Sequence, residues 1–211
     1  MFGADSVLTG DTIVAYEQDW TGRWSGSARA VVRPRNAADA SALVRLALRH
    51  GVVLIPRGGG TGLVGGAVPS SESTDVMVCT SRMREIEIDP VAGTAVVGAG
   101  VTLVELNNAA SLHGLRFAVD IGSRDSATIG GMIATNAGGL RMLRWGDTAA
   151  QLLGIEIVNG HGETLAHMRG LTKDNVGLRW HQLFPGSEGT LGVICRAVVR
   201  LVPIPQAVAW A

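Results

Sequence analysis

Lysine is almost absent from this chain of 211 residues: Lys173 is the one lysine among 18 basic side chains, balanced by 18 acidic ones. Aromatic residues number nine, counting five Trp, one Tyr and three Phe. A neutral, Lys-poor and aromatic-poor chain has neither the positive field nor the stacking platforms of a nucleic-acid binder, so no nucleic-acid partner is expected. Cysteine is equally sparse. Cys79 in "DVMVCT" and Cys195 in "LGVICRAVV" lie in apolar runs and read as reduced, buried thiols, with a disulfide as the alternative. No apolar stretch reaches the 18 residues a membrane span needs. The opening "MFGADSVLTGD" carries acids and no basic region before an apolar run, unlike a signal peptide, so a cytoplasmic location is expected. The five histidines (50, 113, 161, 167 and 181) show no metal-ligand spacing, and no metal is expected. Neither a Gly-x-Ser-x-Gly elbow nor a Cys/His pair supplies a nucleophile.

Glycine is what the chain has in excess. Its 29 glycines are about twice the usual ~7% usage. Six fall within 58–66, five within 122–139 and three within 186–192, between apolar segments. A flexible linker would spread them; clusters point to backbone that approaches something closely. With 46% apolar residues the chain can bury a substantial core.

The periodicity predicts an α+β organisation. Residues 1–27 read as an irregular or short helical lead-in. "ARAVVRP" is a short strand stopped by Pro34, and "NAADASALVRLALRH" is a helix capped by Asn36, with apolar residues at 40, 43, 44 and 47 and a stop at Gly51. "VVLIP" follows as a buried strand, completing a βαβ unit whose two strands should be parallel. "DVMVCT" reads as another strand, and "IEIDPVAGTAVVGAG" as a hairpin turning at Asp89–Gly93. Thr102 and Glu105 form a capping box, with Val101 stapled onto Leu106 and Gly114 closing the helix. "SATIGGMIATNAGG" reads as a short helix interrupted by two glycines. "LLGIEIVNGHGETLAHM" is a hairpin, and "GTLGVICRAVVRLVP" a long strand ended by prolines. These elements form a small βαβ lobe (about 28–80) and a larger, mostly antiparallel lobe with helices (about 81–205). Residues 206–211 read as the start of a further, missing segment.

Within "PRGGGTGLVGGAVPS", Gly60, Gly62 and Gly65 spell G-x-G-x-x-G. A dinucleotide fingerprint of that kind needs a helix straight after the glycines, and "GAVPSSEST" has no helical period. A Walker loop fails for want of Gly-Lys-Ser/Thr. What remains is a loop rich in amides and poor in side chains, able to direct successive N–H groups into one concavity that binds phosphate oxygens. Arg57 can add a charge there and Thr61 a hydroxyl. In the second cluster, Gly130-Gly131 and Gly138-Gly139 clear space for a flat ring or sugar, and Ser126, Thr128, Thr135 and Asn136 offer neutral hydrogen bonds. A ligand with both a pyrophosphate and broad rings, a dinucleotide, fits the pair.

Three ordered stretches carry a resemblance: "PRGGGTGLVGGAVP", "IGGMIATNAGGLRMLRWG" and "LFPGSEGTLGVI". Together they resemble the PCMH-type FAD-binding domain of the vanillyl-alcohol oxidase and p-cresol methylhydroxylase superfamily. Within it, D-lactate dehydrogenase, the glycolate oxidase FAD subunit and D-2-hydroxyglutarate dehydrogenase are the most similar branch. The resemblance runs from about Asp19 to Pro203. It implies that Arg57, Gly58, Gly59, Gly60, Thr61, Gly62 and Leu63 wrap the FAD pyrophosphate, with Gly65 and Gly66 completing the turn. Asp120, Gly122, Ser123 and Ser126 would lie along the cofactor. Gly130, Gly131, Ala134, Thr135, Asn136, Gly138 and Gly139 would line the ribityl chain and isoalloxazine. Gly189, with the backbone of Val193 and Ile194, would close over the adenine or pyrophosphate end. Some relatives attach FAD covalently through a histidine in the first glycine loop; Thr61 stands in that neighbourhood here, so FAD is expected to be non-covalent. Leu178 and Arg179 replace a Tyr-Asp pair found in many relatives, which puts any contact of that pair in doubt.

The resemblance also implies an activity: hydride transfer from a 2-hydroxy acid to FAD, with the catalytic base and most substrate contacts in a cap domain that this chain lacks. Little turnover is therefore expected from the chain alone. Two alternatives stay open: an FAD-binding subunit that completes its site with a separate chain, and an NAD(P)H-dependent flavin reductase of the same fold. Arg124, Arg141 and Arg144 could balance the charge of a reduced flavin, hold a substrate carboxylate, or form a solvated face.

Overall fold

The structure, a computed structural model, describes residues 3–71 and 75–207. Residues 208–211, most of the expected further segment, lie outside the described residues. The first lobe is a four-stranded sheet in the order β1 (Val7–Leu8), β2 (Ala30–Val32), β4 (Val76–Cys79), β3 (Leu54–Arg57). Helix α1 (Ala37–His50) joins β2 to β3. Its Asn36 cap accepts from the Asp39 amide, Gly51 closes it at φ 64°, and Ala40, Leu43, Val44 and Ala47 are all buried. β2 and β3 run parallel as expected, but β4 lies between them and pairs with both.

Two details differ from the sequence reading. The 52–56 run is not a buried strand: β3 begins at Leu54, is half-buried and forms the sheet edge, while Val53 is exposed. Pro56, which has no amide to donate, is tolerated at such an edge. The lead-in is also more ordered than its composition suggests. Val7–Leu8 pairs antiparallel with β2, and Ile13, in a 3₁₀ turn over Gly10–Tyr16, is buried beneath the sheet with Met77 and Cys79.

The second lobe is a six-stranded antiparallel sheet, β5 (Ile86–Asp89), β6 (Thr94–Gly98), β10 (Val193–Pro203), β8 (Leu152–Val158) and β9 (Thr164–His167), with β7 (Leu115–Phe117) also on β10. β10 is the centre: Arg196–Arg200 pairs with β6, Val193–Val199 with β8 and Leu201–Pro203 with β7. Its burial on both faces fits its almost unbroken apolar run. Both expected hairpins form. The Asp89 carboxylate accepts from the Val91 and Ala92 amides, which fixes the first turn. Helix α2 (Leu103–Ser111) carries the full capping box, Thr102 accepting from the Glu105 amide and Glu105 from the Thr102 amide.

Helix α3 (Ile129–Ala134) contains Gly130-Gly131 without interruption. Gly130 is there for packing: a methyl added to it would lie 2.6 Å from the Ala99 Cβ, so only glycine lets this turn press onto the residue after β6. The small helices α4 (Met142–Trp145) and α5 (Thr148–Gln151) follow.

Candidate functional site

The three glycine clusters meet where the two lobes join. β3 leads directly into Gly58–Gly66, and this loop lies backbone to backbone against the segment before α3. A methyl added at Gly59 would run into the Ser126 carbonyl oxygen, and one at Gly58 into the Thr128 hydroxyl. The third cluster folds onto the C-terminus of α3, the Gly186 amide donating to the Ile133 carbonyl (3.1 Å) and the Glu188 amide to that of Ala134 (2.8 Å). Between them is a cavity of about 470 Å³, within the range of small-molecule and cofactor sites.

Sixteen of the residues expected at a cofactor line this cavity: Arg57, Gly58, Gly59, Gly60, Thr61, Gly62, Leu63, Gly66, Ser123, Gly130, Gly131, Ala134, Thr135, Gly189, Val193 and Ile194. Seven do not, for separate physical reasons. Gly65 turns at φ 75° onto the Trp24 ring, 2.8 Å from where its Cβ would be. Ser126 has its carbonyl covered by Gly59, and Gly139 is pressed onto the Asp120 carbonyl. Asp120 is tied to Arg124 (3.1 Å) and Arg141 (3.0 Å). Asn136, in a left-handed conformation at φ 47°, donates to the Asp147 carboxylate and accepts from the Ala149 amide. Gly122 and Gly138 flank lining residues without reaching the cavity themselves.

The amides of the loop are its chemistry. Among the described residues, no backbone N–H from Gly58 to Ala67 donates to a protein acceptor. Backbone donors are rarely left without a partner, so a run of ten calls for a ligand or water. Thr80, at the end of β4, lines the same cavity and keeps a buried hydroxyl with no hydrogen-bond partner. Apolar walls come from Ile121, Met132, Ala137, Val193 and Ile194.

Arg57 lines the cavity but its guanidinium faces away from it. Nη1 donates to the carbonyls of Tyr16 (2.9 Å), Ala67 (3.2 Å) and Gln18 (3.5 Å), and Nη2 to those of Ala15 (3.3 Å) and Gln18 (3.4 Å). The group also lies over the Tyr16 ring, 5.6 Å from its centroid. Burial lowers its pKa, while nearby Cys79 and Tyr16 act in the opposite direction. A methyl at Gly60 would be 2.5 Å from Nη2, so the charge lies directly behind the amide loop. The Arg57 Nη1 and Nη2 donors are thus engaged by carbonyls, and the charge lies behind the loop.

Glu188 is the lining acid the sequence reading missed; its carboxylate oxygen lies 3.3 Å from where a Gly66 Cβ would be. Its place in the third glycine motif was the available signal. Thr80, at the end of an apolar strand, had none. Among the described residues no group of three His, Cys, Asp or Glu could hold a metal, and no helix is long and apolar enough to cross a membrane.

A family model described as an FAD binding domain matches residues 28–167. The chain belongs to this FAD-binding family. Among curated relatives, this FAD-binding domain is 39% identical over 191 residues to D-2-hydroxyglutarate dehydrogenase of Xanthomonas citri pv. viticola, covering 90% of this chain and 40% of that protein. It is 43% identical over 173 residues to D-lactate dehydrogenase of Archaeoglobus fulgidus, covering 82% of this chain and 38% of that protein. The chain thus spans about two fifths of the length of these relatives. Among solved structures, alkyldihydroxyacetonephosphate synthase matches 98% of this chain and 39% of its own, with a TM-score of 0.86 at 26% identity. For 6-hydroxy-D-nicotine oxidase of Arthrobacter nicotinovorans, matched over 95% of this chain and 42% of its own, the TM-score is 0.81 at 23% identity, a likeness of fold. The PCMH-type α+β fold read from the three motifs is the fold observed, and FAD is the cofactor of the family.

Proposed function

We propose that the chain binds FAD non-covalently across the seam cavity, as the FAD-binding part of an oxidoreductase acting on the CH–OH group of a 2-hydroxy acid. The observation that carries the reading is the row of amides from Gly58 to Ala67 with no protein acceptor among the described residues. Hydrogen bonds to charged oxygens contribute about 1.5–3 kcal/mol each, so a few such amides suffice to hold a pyrophosphate. Arg57 supports them from behind with a buried positive charge. Glu188 would repel a phosphate, and its acceptor oxygens suit ribose hydroxyls instead. Thr80 and Ser123 offer further polar contacts, and the apolar wall at Met132, Ala134 and Ala137 suits flat rings.

When bound, FAD supplies the acceptor for the hydride leaving the substrate carbon. The chain's own part is to bind, orient and shield that acceptor. The relatives named as 2-hydroxy-acid dehydrogenases support the substrate class. We assign residues 28–205 to the FAD-binding unit and the catalytic base to a part of the protein outside it. Two buried free thiols, Cys79 and Cys195, fit a reducing compartment, and a cytoplasmic location belongs to the same proposal.

The test is direct. Purified chain mixed with FAD and then desalted should retain flavin absorbance, and acid precipitation should release all of it to the supernatant. Flavin that stays with the precipitate would refute non-covalent binding, and protein that emerges colourless would remove the FAD reading. Rapid 2-hydroxy-acid oxidation by this chain alone would refute the placement of the base.

A further inference from the structure

Close in the chain to cavity-lining residues, two guanidinium groups pair with one carboxylate, Asp120, and Arg116 lies within electrostatic reach of Asp120, of Arg141 and of Arg144. Asp120, nearly buried, is ion-paired with Arg124 Nη2 at 3.1 Å and with Arg141 Nη2 at 3.0 Å. Arg116 on β7 and Arg144 on α4 complete the group, and neither has an acidic partner among the described residues. Asp125, next in the chain to Arg124, is exposed and pairs with none of the four there.

The cluster is held by backbone rather than by its own charges. The Leu140 amide donates to the Asp120 carbonyl (3.0 Å), and Gly139 is closed onto the same oxygen. The approach to α4 is thereby pinned to the segment after β7. Arg144 is laid over the Trp145 ring, its Cζ 4.9 Å from the centroid, and the Trp145 carbonyl accepts from the buried Gln151 side chain. Arg116 is half-buried, and its Nε is shut off from water with no hydrogen-bond partner. Burial lowers its pKa, and the charges of Arg141 and Arg144 push the same way against the opposing pull of Asp120. Like charges so placed cost stability unless an anion joins them.

The position gives that anion a role. Ile121, which lines the cavity, directly follows Asp120, the lining residue Ser123 lies two positions further on, and the lining residue Ala137 precedes Gly138-Gly139. We propose that Arg116, Arg141 and Arg144 form a carboxylate-binding site at the edge of the cofactor cavity, which holds the carboxylate of the acid to be oxidised. The substrate role rests on the function proposed above; the anion site stands on the cluster itself. Guanidinium groups suit this ligand because their planar forks match a carboxylate's two oxygens.

The experiment titrates the cofactor-free chain with glutarate by calorimetry at fixed ionic strength, with inorganic phosphate as the comparison. Arg116→Gln and Arg144→Gln are the variants; Arg144 is exposed, so its loss leaves the core intact. Saturable glutarate binding is expected, weakened about tenfold or more in each variant as charged hydrogen bonds are lost. FAD retention after desalting should be unchanged in both. Absence of saturable glutarate binding would overturn the site. So would glutarate binding unaffected by either substitution, or phosphate binding as tight as glutarate, which marks a diffuse positive patch. Because glutarate is titrated without FAD, failure of the flavin reading appears separately, as loss of FAD retention with glutarate binding intact.

Discussion

Replacing Arg57 with lysine separates two roles that the sequence leaves fused. If the residue served a phosphate by charge alone, Arg57→Lys would be nearly silent. The structure assigns its donors to four carbonyls instead, three of them reached at 2.9, 3.2 and 3.3 Å by Tyr16, Ala67 and Ala15. A lysine ammonium cannot span carbonyls on both sides of a guanidinium fork, so about two of these bonds are lost. At about 1.5–3 kcal/mol for each charged bond, less what water recovers, the expected cost is about 2–4 kcal/mol. A chain of this size loses about 2–4 °C of Tm per kcal/mol, so melting of the cofactor-free variant should fall by about 4–16 °C. Thermal unfolding by circular dichroism measures this, and fluorescence titration with FAD measures the second effect. Affinity should weaken too, because Ala67 and the 15–18 turn no longer brace the amide loop. A variant that melts within about 2 °C of the parent would refute the carbonyl cage. Unchanged FAD affinity in a destabilised variant would show the loop to be held by other means.

Gly59→Ala should be worse than its size suggests, since the added methyl meets the Ser126 carbonyl; overpacking of about 1–3 kcal/mol is expected, with FAD retention lost alongside a lower Tm. Acid sensitivity should trace to His181, whose pKa is lowered from 6.5 by burial, then by His167 stacked 4.6 Å away and by Arg179, with Asp174 opposing. Because the unfolded chain takes up that proton first, stability is unaffected above pH 6.5 and declines as pH falls below it. His181→Gln should flatten the decline in urea-melt midpoints, and an unchanged slope would exonerate the residue. The Cys195 thiol, pushed up to about 12 by burial and by Glu156, should ignore thiol reagents at pH 8 until the chain unfolds. Rapid labelling of the native protein at Cys195, located by peptide mapping, would contradict its burial.

The sequence displays local devices well because each writes its own short pattern. The Asn36 cap, the Thr102–Glu105 box and the Asp89 turn all depend on neighbours within a few positions, and all form. Strand β7 has only three residues and leaves no period to detect, so Arg116 could not be placed beside Arg141 and Arg144. The glycine clusters located the cavity and much of its lining, but not which glycines face it. Glycine reports that a side chain is missing, not what occupies the space: at Gly62 it is the cavity, at Gly60 the Arg57 guanidinium, at Gly65 a tryptophan and at Gly139 a carbonyl. The destination of the Arg57 donors was hidden for a related reason, since their partners are backbone carbonyls, which any residue carries. The third motif named Gly189 while Glu188 beside it also lines the cavity.

Strand β10 sets an order of events. It comes after every other strand of its sheet in the chain, yet β6, β7 and β8 all pair with it, and its first residues, Val193 and Ile194, wall the cavity. On a ribosome releasing the chain from its N-terminus, the first lobe has all its partners early, whereas β6 and β8 wait with open edges. Such late, long-range closure slows folding and leaves strand edges exposed to aggregation in the interval. The cofactor cradle closes only when residues 193–203 have been made, so flavin can be captured only by a chain already released to that point.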